Sequence, residues 1–376
     1  MAIRVALLGT KFMGKAHSQA YRSVNMFFPD APQIERKVIV GRNAQETAAA
    51  AGLFGWQEAS TDWRQTVARP DIDLVDISTP GDLHCEMALA AAAAGKHIIC
   101  EKPLANTLAE AVKMRAAAEK AKVRHLIMHN YRRVPAVALA KKLIGDGKLG
   151  RIYHFRARYL QDWAMSPDLH LVWRFSAKSA GSGALGDLGA HIIDLGRYLV
   201  GEITEVAATL ETFVKQRPEG PGSSKKIQVT VDDAAILLAR FQNGALGTLE
   251  ATRFARGRKN QNTFEINGEK GSISFDLEHL NVLKYYSAEE PGEVQGFHDI
   301  LCVTKGVHPY ADAWWFDGHI LGYEHTFTHT VYDFLKALES RGKIHPDFTD
   351  GVRNQAVLDA AERAAKSKRW VAVKQY

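Results

Sequence analysis

Cysteine is nearly absent. Cys85, Cys100 and Cys302 are the only three in 376 residues. An odd number without metal-type or redox-type spacing excludes a disulfide framework and favours a reducing compartment. Long apolar runs are missing too, since none approaches the roughly 20 residues that a membrane-spanning helix requires. No basic leader with a cleavage site precedes the first strand-like stretch, so the expected location is the cytoplasm, with no membrane partner. Charge of one sign is not concentrated. The 48 Lys and Arg against 42 Asp and Glu leave a net charge of +6. Apart from residues 253–259 the basic residues are scattered, which argues against a nucleic-acid partner. Metal ligands in a workable pattern are also lacking. His298, His308, His319, His325 and His329 crowd the last third of the chain. His325 and His329 lack the Glu of H-E-x-x-H, and no cysteine or convergent carboxylate joins them, so no metal is expected.

What is present is an ordinary globular composition, 46% apolar and 24% charged, over a length that predicts two domains. Residues 3–8 are apolar except for Arg4 and empty into Gly9-Thr10-Lys11-Phe12-Met13-Gly14 ahead of a helical stretch. Short apolar runs recur at 37–40, 74–77, 97–100 and 126–128, with helix-length segments between them. That alternation predicts a doubly wound parallel sheet, a dinucleotide-binding Rossmann domain, over residues 1–129. Asp82 is placed to cap a helix running through the alanines at 90–94, with Gly95 just past its end, and Thr107-Leu108-Ala109-Glu110 has the form of a capping box. From residue 130 the texture changes to a helix near 137–144 and then to alternating stretches at 152–160, 229–241, 245–254, 264–267 and 272–275. Such alternation describes half-buried antiparallel strands. Residues 130–376 are therefore expected to form an α+β substrate-binding and oligomerisation domain with a large, mainly antiparallel sheet, in a chain that is α/β as a whole. Residues 216–226, rich in Pro, Gly, Ser and charge, read as a connecting loop.

Four places carry chemistry. Gly9 and Gly14 keep the outer glycines of G-x-G-x-x-G while Lys11 replaces the middle one. Their position between a strand and a helix supports a dinucleotide site in which free helix N–H groups face the phosphates. The second strand ends at Val40-Gly41-Arg42-Asn43 without the acid that binds a ribose 2′-hydroxyl. Arg42 suits a 2′-phosphate or an adenine stack, or is an exposed arginine that does neither, and the balance leans slightly to NADP over NAD. Lys102 stands where the strand Ile98-Ile99-Cys100 stops, flanked by Glu101 and Pro103. Asp187, His191 and Asp194 share one face of a helix approached through Gly181-Ser182-Gly183. Oxidising a carbinol needs a base for the hydroxyl proton while hydride leaves the same carbon, and a lysine or histidine can be that base. The plainer alternative is a helix with two structural carboxylates and a satisfied histidine.

These residues resemble the Gfo/Idh/MocA oxidoreductases, a family that includes glucose-fructose oxidoreductase and inositol dehydrogenases, and the likeness spans nearly the whole chain. The resemblance implies a catalytic Lys102 in the motif Glu101-Lys102-Pro103, with a cis peptide before Pro103. It implies that Asp187 binds substrate hydroxyls and that His191 is the acid/base partner of Lys102. Ser78, Thr79, Pro80 and His84 look like the family's loop along the cofactor, beside Gly9 to Gly14, Arg42, Glu101 and Lys102. Asn130, Tyr131 and Arg132 look like its hinge segment, Asn130 towards the cofactor and the other two towards substrate. Residues 159–163, 173–175 and 257–260 look most like the branch of levoglucosan and scyllo-inositol dehydrogenases, whose rigid cyclic polyols would meet Asp162, Trp163 and Arg174. The same likeness places His319, in the segment 318–329, at a substrate pocket, its own or a neighbouring subunit's.

The activity so implied is NAD(P)-dependent oxidation of a ring secondary hydroxyl on a cyclic polyol or sugar. Two rivals stand beside it: an NAD-dependent glycosidase working by transient oxidation and elimination, and a non-catalytic sensor that binds sugar or cofactor. A sheet face left uncovered in the second domain predicts a homo-oligomer, dimer or tetramer.

Overall fold

Apolar runs too short for a helix and buried on both faces find a stable home in a parallel sheet covered by helices. In the computed structural model, which describes residues 2–376, that is where they go. β1 (Ile3–Leu8), α1 (Phe12–Phe27), β2 (Ile34–Val40), α2 (Ala44–Phe54), β3 (Glu58–Ser60), α3 (Trp63–Ala68), β4 (Leu74–Ile77), α4 (His84–Ala93), β5 (His97–Cys100), α5 (Leu108–Lys120) and β6 (His125–Ile127) alternate along the chain. The strands lie in the order β3-β2-β1-β4-β5-β6, all parallel, the doubly wound order in which β1 and β4 flank the switch point. The capping box of α5 forms, Thr107 accepting from the Glu110 N–H while Glu110 reaches back to the Thr107 N–H. The cap expected from Asp82 does not. Asp82 lies within a 3₁₀ turn, Gly81–Leu83, and α4 starts after it from Leu83 without a side-chain cap.

The later elements are α6 (Pro135–Gly145), β7 (Ile152–Leu160), α7 (Ala177–Ala180), α8 (Ala190–Leu199), β8 (Ile203–Glu211), β9 (Gln216–Pro218), β10 (Lys226–Gln228), β11 (Ala234–Phe241) and β12 (Leu246–Thr252). They continue with β13 (Gln261–Gly268), β14 (Gly271–Asp276), β15 (Val282–Ser287), β16 (His298–Leu301), α9 (Tyr323–Ser340), α10 (Phe348–Ser367) and β17 (Val371–Ala372). Nine strands form one sheet, β16-β15-β14-β13-β7-β12-β11-β8-β17. Every neighbouring pair is antiparallel except β7 with β12. Alternation is visible in β11, where Ala235, Leu237, Ala239 and Phe241 are buried while Ile236 and Leu238 are exposed. The segment 216–226 is not simply a loop. Its ends pair as a ribbon of β9 and β10, and the buried Arg217 pins it by donating to the carbonyls of Ala164 and Ser166 at 2.5 and 2.7 Å.

The chain divides into two compact units: residues up to 133 together with 322–352, and residues 134–321 together with 353–376. A division at 129/130 therefore misplaces 322–352, and the reason is aromatic packing within the first unit. Tyr332 of α9 stacks on Phe28 beyond α1 at 4.1 Å between ring centroids, and Phe327 packs on His17 at 5.4 Å. Phe348 stacks on His125 of β6 at 4.7 Å, and the Ile127 N–H donates to the Pro346 carbonyl at 3.1 Å.

Candidate functional site

The first unit builds a cofactor cradle from the strand ends. The Gly9 N–H donates to the Val40 carbonyl and the Ser78 N–H to the Leu8 carbonyl, both at 2.9 Å. Gly9 has φ +127°, and a Cβ there would lie 2.6 Å from the Ser78 carbonyl oxygen, so only glycine fits. Ser78, Thr79 and Pro80 follow β4 beside this turn. α1 starts after Lys11 with no side chain capping its first N–H groups. A turn this tight ahead of an uncapped helix N-terminus suits a dinucleotide pyrophosphate. Lys11 carries its ammonium to Glu46 of α2 at 2.5 Å. Thr10 is half-buried and Met13 likewise, Phe12 is exposed and stacks at 6.2 Å on Tyr323, and Arg42 is exposed.

Lys102 sits just past β5, and the Lys102–Pro103 peptide is cis. Its own N–H donates to Glu101 Oε2 at 3.0 Å. Glu101 is buried, and its Oε1 meets His17 Nε2 at 2.9 Å, while His17 Nδ1 meets Asp76 at 2.8 Å. Tyr21 donates to the same Asp76 carboxylate at 2.7 Å. Burial alone would lower the His17 pKa, but Asp76 and Glu101 outweigh it and raise it to about 10. Burial works against the Glu101 carboxylate as well, yet His17 and the charge of Lys102 hold its pKa below the usual value. His84 has both ring nitrogens on main-chain carbonyls, Pro103 at 3.1 Å and Thr79 at 2.9 Å. It is 1% exposed, so it sits behind the cofactor loop rather than on its open side. Asn130, Tyr131 and Arg132 form a buried 3₁₀ turn with Arg133. Asn130 donates to Thr326 at 2.8 Å, Tyr131 lies edge-on to Tyr323 and Arg132 reaches Asp350 at 3.3 Å. The structure thus ties this segment to α9 and α10 residues of its own unit.

The second unit assembles a separate cluster. Asp187 lies in a wide π turn, Leu185–Gly189, which runs into α8. Such one-residue expansions of a helix recur at functional sites, and this one interrupts the regular helix expected through Asp187, His191 and Asp194. The turn is set from outside. The buried Asp232 carboxylate accepts the Gly183 and Leu185 N–H groups at 2.7 and 2.8 Å. Arg253, 1% exposed, is the hub: it donates to Asp187 Oδ2 at 2.9 Å and to the carbonyls of Gly183 and Arg174 at 3.3 Å, and lies 5.2 Å over the Trp163 ring. Arg174 approaches the same Asp187 oxygen at 3.9 Å and lies over Trp173. The His191 ring packs 5.6 Å from Tyr159, whose hydroxyl donates to Asn260 at 2.8 Å. Asn260 also accepts from Gln161, which in turn accepts from Trp163.

Asp187, His191, Trp163 and Arg174 are thereby linked within one unit. Asp162 faces the loop before β13 instead, held by Lys259 at 2.8 Å and the Gly257 N–H at 3.1 Å, and the Lys259 bond lowers its pKa. Asp194 is buried in α8. His319 lies on an exposed loop and bonds back to the Phe316 carbonyl.

Several residues with evident roles escaped sequence reading. Arg253 looked like the start of a surface basic stretch. His17, Tyr21 and Asp76 had one signal, an acid inside the otherwise apolar strand Leu74-Val75-Asp76-Ile77, because a buried carboxylate demands a partner. Among the described residues no three His, Cys, Asp or Glu side chains are grouped to hold a metal, and no helix is long and apolar enough to cross a membrane.

Comparison with known proteins adds the family. Residues 3–129 match the family described as "Oxidoreductase family, NAD-binding Rossmann fold", and residues 137–274 match the "GFO/IDH/MocA C-terminal domain". A levoglucosan dehydrogenase of Pseudarthrobacter phenanthrenivorans is 44% identical over 99% of this chain and 98% of its own. An inositol 2-dehydrogenase of Rhizobium meliloti is 24% identical over 99% of this chain and 100% of its own. Among solved structures, an oxidoreductase domain protein from Kribbella flavida superposes with a TM-score of 0.96 at 51% identity, covering both chains in full. A levoglucosan dehydrogenase in complex with NADH does so at 0.97 and 46%, again over both full chains. NADH in that neighbour gives no support to the NADP reading of Arg42. With both halves matched and a relative this similar along its whole length, the chain belongs to the Gfo/Idh/MocA family of NAD-binding oxidoreductases.

Proposed function

We propose that this protein is an NAD-dependent dehydrogenase that oxidises a ring secondary hydroxyl of a rigid cyclic sugar of the levoglucosan type. The observation that carries this reading is the end-to-end likeness to a levoglucosan dehydrogenase, 44% identical with no large unmatched region in either chain. A related solved structure, 45% identical, is a complex of levoglucosan dehydrogenase with NADH and levoglucosan.

The residues divide the work as follows. The turn at Gly9 and the first N–H groups of α1 bind the pyrophosphate, and Ser78, Thr79 and Pro80 run alongside. NAD, when bound, supplies the hydride acceptor. The hydroxyl proton leaves through Lys102 or His191, and the positive charge on Lys102 once it is protonated favours alkoxide character as it develops, electrostatic stabilisation that needs no solvent rearrangement. His191 is the acid/base partner of Lys102. Asp187, oriented by Arg253, binds a substrate hydroxyl, with Trp163 and Arg174 as further contacts. Lys11 and Arg42 take no 2′-phosphate in this reading, so NAD is preferred over NADP. The protein works as a homo-oligomer through the exposed face of the nine-stranded sheet, where Ile236 and Leu238 of β11 and Leu246 of β12 lie bare.

The test is the appearance of reduced nicotinamide when the protein is given NAD or NADP with anhydrosugars, inositols, free hexoses and glycosides, with released sugar assayed in parallel. Reduction of NAD by an anhydrosugar is the expected result. Sugar release from a glycoside without net reduction would replace the dehydrogenase by a redox-neutral glycosidase, and a stronger reaction with NADP would defeat the cofactor assignment.

A further inference from the structure

Two buried histidines close on the turn that carries Lys102, one from each side. On the side before it, His17 of α1 bridges Asp76 in the middle of β4 to Glu101, at 2.8 and 2.9 Å. The other oxygen of Glu101 takes the Lys102 N–H at 3.0 Å. On the side after it, His84 at the start of α4 bridges the Pro103 carbonyl to the Thr79 carbonyl, at 3.1 and 2.9 Å. His17 is 0% exposed and His84 1%. Neither is open to substrate, and they reach the residues on either side of Lys102, His17 from 84 positions away and His84 from 19.

Stability alone does not call for this arrangement. A buried ionic cluster is often replaced by apolar residues of similar volume with no loss, or with a gain. Asp76 stands in a strand whose other three residues are Leu74, Val75 and Ile77, all fully buried, where a fourth aliphatic side chain would pack without a partner. What an aliphatic cannot do is fix the direction of a neighbouring main chain. Histidine can, because it offers two rigidly opposed nitrogens and so locks two groups to one another. His84 does this for two main-chain carbonyls, one ring nitrogen lying against Pro103 and the other against Thr79. A lysine amine at the end of a flexible stem is placed only as well as the main chain beneath it, and a shift of about 1 Å at a reacting group is enough to cost roughly 10²-fold in rate.

We infer that His17 and His84 are positioning residues for Lys102, acting through Glu101 and Pro103 to hold the main chain on either side of it. The inference rests on the reading of Lys102 as the proton-transfer group. Asp76 and Tyr21 anchor the first arm to the sheet and to α1, and the Thr79 carbonyl anchors the second to the loop after β4. The loop along the cofactor and the turn of the lysine are thus joined by one imidazole, so that both move or neither does.

The test uses His17→Gln and His84→Gln in the full-length protein, the second keeping one donor in case the first does not fold. Three quantities are read: hydrogen exchange of the peptide that carries Lys102, the NADH dissociation constant, and kcat against KM for the sugar that the parent oxidises. In each folded variant, exchange around Lys102 is expected to quicken about ten-fold or more while β1 and β4 stay protected. kcat should fall by about ten-fold or more, with KM and NADH affinity within roughly three-fold of the parent. Unchanged exchange in a folded variant overturns the inference. Turnover within about two-fold of the parent overturns it too, as does an equal loss of NADH affinity and kcat, which would mark a collapsed cofactor site. If the parent itself reduces NAD with no member of the panel, the dehydrogenase reading fails, and the exchange result still decides whether the two histidines hold the turn.

Discussion

A lysine is a useful acid or base only when its amine is held at the reacting atom, and at Lys102 the holding groups are as informative as the lysine. Lys102→Ala should lower kcat by roughly 10²-fold or more, the usual scale for a general acid–base group, with NADH affinity little changed in a fluorescence titration. The charged cluster behind it makes a separate claim on stability. His17 has a pKa raised from 6.5 to about 10, so its contribution is complete below pH 6.5, where the unfolded chain is protonated too. It is lost as pH climbs from 6.5 towards 10, where only the folded state keeps the proton. Urea denaturation across that window should show stability falling by a few kcal/mol, on the order set by linkage, and His17→Gln should remove the slope. Lys102, Asp187 and His191 were legible because each stands in a short motif at the end of a strand or after a glycine-rich turn. Arg253 was not. Its sequence neighbours Arg256, Arg258 and Lys259 are basic and face solvent, and nothing in a string of letters says that the first of the four turns inward beneath Asp187.

At the scale of elements, four strands of the parallel sheet could be read almost to the residue, whereas β2 starts at Ile34 ahead of the run at 37–40 and the short edge strand β3 gave no apolar run to read. Leu74–Ile77 and His97–Cys100 are bounded apolar runs buried on both faces, which is the strongest signal a strand gives. β8, β15 and β16 passed unnoticed, because strands near or at a sheet's edge mix polar with apolar residues and keep little period. The wide turn at Asp187 was also invisible, since the spacing of Asp187 and His191 fits an ordinary helix, and the Asp232 carboxylate that shapes the turn lies far along the chain. Gly183 is the residue on which this turn depends. A Cβ there would stand 1.7 Å from the Asp232 carbonyl oxygen, so Gly183→Ala should cost about 2 kcal/mol or more. Thermal denaturation should record a lowered midpoint, and activity should fall with it, because Asp187 begins one turn later.

For the molecule as a whole, the composition and length pointed to two domains, but where the chain crosses between them cannot be read from texture. Residues 322–352 look like any amphipathic helix and loop, and only the rings of Phe28, His17 and His125 show where they pack. The exposed apolar face of the nine-stranded sheet leads to a measurement of size. Light scattering should return a multiple of 41.6 kDa, and Ile236→Lys with Leu238→Lys should reduce it to the monomer mass by placing two charges where a second copy would bury them. The return of α9 to the first unit also bears on how such enzymes can be recombined. A cofactor half transplanted from a relative as one continuous N-terminal block would arrive without its own α9 and set Phe28 and His17 against foreign rings. A graft carrying both 1–133 and 322–352 brings its core with it, so the natural unit of exchange in this protein is a pair of segments rather than a stretch of gene.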